Sequence, residues 1–180
     1  TAVALNRMEQ LIGKLLKLAR LDAGGICFER KCHPAAEGAD RAVEELRTRA
    51  LLEEKQIWIQ QDEKTLLCDL DWSVEAVQNL VKNALDHTQK GDTVRMEWRA
   101  LRNLVQVCIR DNGSGIHPED LHHIFKRFYR SRFSKDRQGI GLGLPLAKMI
   151  IESHSGTIEV DSTPGTGTVF TINFLIPTKL

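Results

Sequence analysis

The sequence predicts an α+β fold: a two-layer sandwich in which a mixed five-stranded sheet is covered on one face by helices, preceded by one bundle helix. Three observations carry this. Apolar residues alternate through Val94, Met96 and Trp98, through Val105, Val107 and Ile109, and through Phe170, Ile172 and Phe174, as in strands with one buried face. Helical periods stand between the strands with no repeating strand-helix-strand order. The opening segment carries a heptad seam instead of a globular pattern. With 180 residues, 42% hydrophobic and 27% charged, the chain has room for one well-cored domain and an appendage.

The elements follow in order. Leu5, Met8, Ile12, Leu15 and Ala19 line one face of an opening helix, which Leu11 and Leu18 widen into a bundle surface. Asp22-Ala23-Gly24-Gly25 stops it, so residues 1–24 are expected to be a helix from one domain and 25–180 a second domain. A helix this apolar on one side needs partners, including a second copy of the chain. Residues 26–31 suggest a short strand, 35–54 a charged amphipathic helix and 56–61 an alternating strand. Asp71 or Ser73 is expected to cap a helix reaching about His87, with Val74, Val77, Val81, Ala84 and Leu85 as its apolar stripe. Leu101-Arg102-Asn103 turns the next two strands into a hairpin. A glycine-led helix over 142–153 and a hairpin of 157–161 with 168–176 complete the chain.

Composition removes several classes of function. A formal net charge of +1 gives no reason to expect nucleic acid or an anionic membrane surface as partner. Cys27, Cys32, Cys68 and Cys108 form no C-x-x-C pair, so the expectation is buried, reduced thiols of a cytosolic protein. No apolar stretch approaches the roughly 20 residues a membrane helix needs, so no membrane contact is expected for this stretch. A chain opening on Thr1 is expected to be a piece of a longer protein.

Four segments carry chemistry. Asn79 and Asn83, four apart, share a helix face and are expected opposite the apolar stripe. Asparagines so placed also suit a solvated face. Asp111-Asn112-Gly113-Ser114-Gly115 follows a strand; it is an ordinary turn sequence, and it also offers a strand-end carboxylate to an exocyclic amine, with glycines that admit a flat base. Gly139-Ile140-Gly141-Leu142-Gly143 opens a helix and could cradle phosphates at its positive end. Gly165-Thr166-Gly167-Thr168 enters the last strand. A dinucleotide fold is excluded, because the glycine trio follows a basic loop and not a strand.

Taken in this order, the four segments resemble the Bergerat-type ATP fold shared by histidine kinases, Hsp90 chaperones, gyrase B and MutL, over everything from Gly25 onward. Ile124-Phe125-Lys126-Arg127-Phe128-Tyr129-Arg130 resembles the aromatic F-box of the kinases, and the opening helix resembles the second helix of their dimerisation and histidine-phosphotransfer domain. The resemblance implies ATP and Mg²⁺ as cofactors. It implies that Asn83 holds the metal with Asn79 assisting, that Asp111 accepts the adenine amine beside Gly113, Gly115 and Ile116, and that Thr168 lies near the base. Arg127 and Arg130 would reach the terminal phosphates, and Gly139, Gly141, Leu142 and Gly143 would form lid hinge and phosphate cradle. Asp86 and His87 stand where many members have lysine and tyrosine. The basic stretch 130–138 is expected to be a lid ordered by phosphates, its cations making up the charge lost at Asp86.

None of the six histidines, His33, His87, His117, His122, His123 and His154, lies in an acceptor-like context. The resemblance therefore implies that the phospho-accepting histidine and its acidic helper lie upstream, and that this chain does not phosphorylate itself. It implies an ATP:protein-histidine phosphotransferase that relays to a response-regulator receiver domain and forms a homodimer through its helical bundle. The fragment is expected in the cytoplasm, its parent anchored in the cell membrane. The alternative is a non-kinase ATP switch or ATPase of chaperone type; asparagine at position 79 cannot act as a base, so hydrolysis is expected to be slow.

Overall fold

The computed structural model describes residues 1–132 and 139–176. Helix α1 (Ala2–Asp22) leads into β1 (Lys31–Pro34), α2 (Ala35–Leu52), β2 (Gln56–Ile59), β3 (Thr65–Cys68), α3 (Leu70–Asp86), β4 (Thr93–Ala100), β5 (Leu104–Asp111), a single turn α4 (Pro118–Leu121), α5 (Gly143–Ser153), β6 (Thr157–Thr163) and β7 (Gly167–Leu175). The main sheet runs β2-β4-β5-β7-β6; β2 and β4 are parallel and the other pairs antiparallel, so it is the expected mixed sheet of five. Two-residue periodicity gives it one apolar face. Val94, Met96, Trp98, Val107, Ile109, Phe170 and Ile172 are buried beneath α2, α3 and α5, while polar side chains alternate with them. Burying each large side chain contributes on the order of 1.5–3 kcal/mol.

Several local expectations are corrected. The first strand is 31–34, not 26–31, and it pairs antiparallel with β3, which alternation had not revealed. Both are four residues long, and neither alternates between exposed and buried positions as the equally short β2 does. The cap of α3 is Asp69, which accepts from the Trp72 amide at 3.3 Å, not Asp71 or Ser73. Cys27 and Cys32 are exposed and only Cys68 is buried.

Helix α1 has two faces. Val3, Leu5, Met8, Ile12 and Leu16 are 52–64% exposed, whereas Leu18 and Leu21 belong to the same core as the sheet. Leu11 and Leu18 therefore do not widen the seam; they face the body. Lys17 pairs with Glu75 at 2.7 Å and Asp22 accepts two bonds from Arg127.

Candidate functional site

Asp111 falls in phase with Val105, Val107 and Ile109, so the alternation that buries those side chains also turns its carboxylate inward, to 5% exposure. Its register partner is Thr168, likewise in phase with Phe170, Ile172 and Phe174 and likewise buried. Burial pushes the Asp111 carboxyl above the ordinary carboxylate range, and the amides of Gly113 and Thr168 oppose that shift. The Gly113 amide donates to one carboxylate oxygen at 3.0 Å. A carboxylate offers about four lone-pair sites, so it retains capacity for an external amine.

Backbone crowding forces the glycines here. A Cβ on Gly113 would lie 2.2 Å from the His87 carbonyl oxygen, and one on Gly115 2.3 Å from that of Thr163. One on Gly167, at φ +126°, would lie 2.0 Å from the Asp111 carbonyl oxygen. Hydrogen bonds join the same segments: the Ser114 amide donates to the His87 carbonyl at 2.9 Å, and the Ile116 amide to Ser162 Oγ at 2.8 Å. Ser162 also donates to the Gly167 carbonyl and meets Thr168 Oγ1 at 3.0 Å. The turn after β5, the end of α3 and the turn before β7 thus form one wall around Asp111. His87 closes α3 beside it, and Ile116 is partly buried.

At the other end, α3 meets the start of α5. Asn79 is not opposite the apolar stripe as expected; it is 8% exposed, because α5 packs over it. Its Oδ1 would be 2.9 Å from a Cβ on Gly143, so glycine at that position lets the two helices meet. Asn79 donates to the Glu75 carbonyl and accepts from Lys14 Nζ at 2.9 Å. Burial, then repulsion from Lys82, lowers the Lys14 pKa. Asn83, one turn on, is partly buried. The cap position of α5, Leu142, supplies no side-chain acceptor, and the first turn carries no acid. Its amides and positive dipole end are therefore available to an anion.

The other expected residues divide. Gly141, at φ +77°, packs against Phe128 and Tyr129 and accepts from the Phe128 amide at 2.8 Å, tying the glycine trio to the aromatic segment. Asp120, 2% exposed, accepts from Tyr129 and Ser131 and anchors that segment. Asp86 pairs with Arg49 at 2.7 Å. Arg127 is engaged with Asp22, so the structure places it on α1. Arg130 and Gly139 are both exposed. Of the expected lid, 133–138 lie outside the described residues. Lys14 and Ser162 were not foreseen. A lysine among Leu11, Leu18 and Leu21 at spacings of three and four was the available sign for the first; nothing in sequence marked the second.

The residues fit a purine nucleotide: a buried carboxylate in a wall where added Cβ atoms would collide, and an uncapped helix start roofing a carboxamide. No trio of His, Cys, Asp and Glu suited to a metal exists among the described residues. A cation here would depend on asparagine oxygen and phosphate, a donor set that suits magnesium. No helix among the described residues is long and apolar enough to cross a membrane.

Comparison with known proteins agrees with this geometry. Residues 68–178 match the family of histidine kinase-, DNA gyrase B-, and HSP90-like ATPases. Sensor protein SrrB of Staphylococcus aureus (strain MRSA252) is 34% identical across 96% of this chain and 30% of its own length, so the chain spans about a third of that curated relative. A mycobacterial sensor histidine kinase, MprB, superposes with a TM-score of 0.72 at 26% identity, over 81% of this chain and 97% of that one. The Acinetobacter baumannii histidine kinase AdeS shares the fold, with a TM-score of 0.81 at 19% identity over 97% and 81% of the two chains. The chain belongs to the histidine kinase-, DNA gyrase B-, and HSP90-like ATPase family, as a histidine-kinase ATP-binding catalytic domain.

Proposed function

We propose that this chain presents ATP for transfer of its γ-phosphate to a histidine outside the chain, with onward relay to a response-regulator aspartate. The observation that carries the reading is Asp111, a carboxylate buried by strand alternation in a wall of crowded backbone. Asp111 accepts the adenine amine, and Gly113, Gly115, Ile116 and Thr168 shape the slot for the ring. The amides opening α5 receive phosphate oxygens, with Gly139, Gly141 and Gly143 permitting their approach. Asn83 offers its side-chain oxygen to Mg²⁺. Held there, Mg²⁺ would supply neutralisation of the charge that builds during phosphoryl transfer. Positioning and neutralisation are what phosphoryl transfer requires, so no covalent group of this chain is needed.

Residues 1–24 act as the link to a helical bundle, although Leu18 and Leu21 pack on the body. The exposed Val3, Leu5, Met8, Ile12 and Leu16 support a homodimeric bundle around them. A domain fed by ATP in this way works in the cytoplasm. The test is calorimetric titration of ATP with Mg²⁺, paired with labelled ATP. Binding without an acid-labile, alkali-stable label on the chain is expected. No binding, or a histidine-type label, would overturn the assignment.

A further inference from the structure

Among the groups the foregoing reading leaves unused, Lys14 stands apart. It is delivered by α1, outside the body that holds the nucleotide, yet its ammonium lies 2.9 Å from Asn79 Oδ1 and 3.7 Å from where a Cβ on Gly143 would be. It therefore stands where α3 meets the first turn of α5. An ammonium has three donors, and Asn79 is its one hydrogen-bond partner among the described residues. Its neighbour Lys17, one turn closer to the body's edge, is already paired with Glu75. Asp86 is paired with Arg49, and Arg127 with Asp22. Lys14 is thus a partly desolvated cation, short of acceptors, beside the amides of a helix start that has neither a side-chain cap nor an acid.

We propose that Lys14 is a phosphate-binding residue of the ATP site, held in place by Asn79. This rests on the ATP reading above and deepens it. Asn79 is then committed: its amide donates to the Glu75 carbonyl and its oxygen holds Lys14, so it positions a cation and leaves the metal to Asn83. Leu18 and Leu21 fix the helix that carries Lys14, so the phosphates and the docked position of α1 support one another. A base without phosphates gains nothing from Lys14.

The test titrates ATP with Mg²⁺, and adenosine, into the chain and its variants. Lys14→Met is expected to weaken ATP about tenfold and leave adenosine unchanged. Lys14→Arg should recover most of the loss, and Lys17→Met should leave ATP binding unaltered. Nucleotide-free unfolding temperatures of these variants establish that each is folded; if Lys14→Met is not, Lys14→Gln, which can still donate to Asn79, replaces it. ATP affinity that is unchanged or tighter in the neutral variant would overturn the proposal, the latter by showing that Lys14 competes with the metal-bound nucleotide. Equal losses for ATP and adenosine, or an arginine variant as weak as the methionine one, would also overturn it. A wild-type chain that binds neither ligand would instead refute the nucleotide reading itself.

Discussion

The two ends of the site are built differently. Around Asp111, segments lock together through backbone hydrogen bonds and contacts that leave no space for a Cβ. Around Asn79, two helices and an appended third meet through side chains: Lys14 on Asn79, Lys17 on Glu75 and Asp22 on Arg127. The end proposed to take the base is fixed by the fold, whereas the end proposed to take the phosphates is assembled from side chains on separate elements. A flat, uncharged ring needs a slot of set width, and a charged chain of phosphates needs cations that can adjust to it.

The sharpest way to break this contrast is to add one carbon at each end. Gly167→Ala places a Cβ against the Asp111 backbone at φ +126°, so it should cost about 3 kcal/mol or more and lower the unfolding temperature by roughly 6 °C or more. Gly143→Ala meets the movable Asn79 side chain, so it should shift that temperature far less while weakening ATP. Similar thermal losses for the two would erase the distinction.

Within the phosphate end, Asn83→Ala should leave the fold intact and weaken Mg-ATP at least about tenfold, on the order of 1.4 kcal/mol, by calorimetry. Unchanged affinity would make Asn83 a surface residue only.

The smallest effect concerns His154, which joins the two helices from behind. Its Nε2 accepts from the Asp69 amide at 3.1 Å and its Nδ1 donates to the Ile150 carbonyl at 2.8 Å, so the neutral ring is the native form. Burial, helped by Arg30, holds its pKa below the ordinary imidazole value. Above about pH 6.5 the ring is neutral in both folded and unfolded chains. Below that, the unfolded chain gains a proton that the folded one resists, so stability falls as pH falls. The drop between pH 7 and pH 5.5 should shrink in His154→Gln; an identical drop would show that other groups set the slope.

Much of the base end was legible in the sequence. Asp111 and Thr168 stand in register with strong alternating strands, and their glycines follow at once. The phosphate end was harder to read, because its geometry comes from packing between distant segments. Asn79 reads as solvated by its residue type but is roofed by α5, 64 residues further on at Gly143. Lys14 reads as a polar position of a bundle helix until Leu18 and Leu21 are seen facing the body. Asp86 was noted as a departure, but only the fold shows Arg49 taking it up. The small sheet of β1 and β3 escaped because neither strand alternates between exposed and buried positions, as the equally short β2 does.

The central claim is that Asp111 holds the base independently of the phosphates. Titrating adenosine and ATP with Mg²⁺ into wild type and Asp111→Asn tests it most directly. A hydrogen bond to a charged acceptor is worth about 1.5–3 kcal/mol, so both ligands should weaken by roughly 10- to 100-fold, and by the same factor. A loss confined to ATP, or no loss for either ligand, would contradict it.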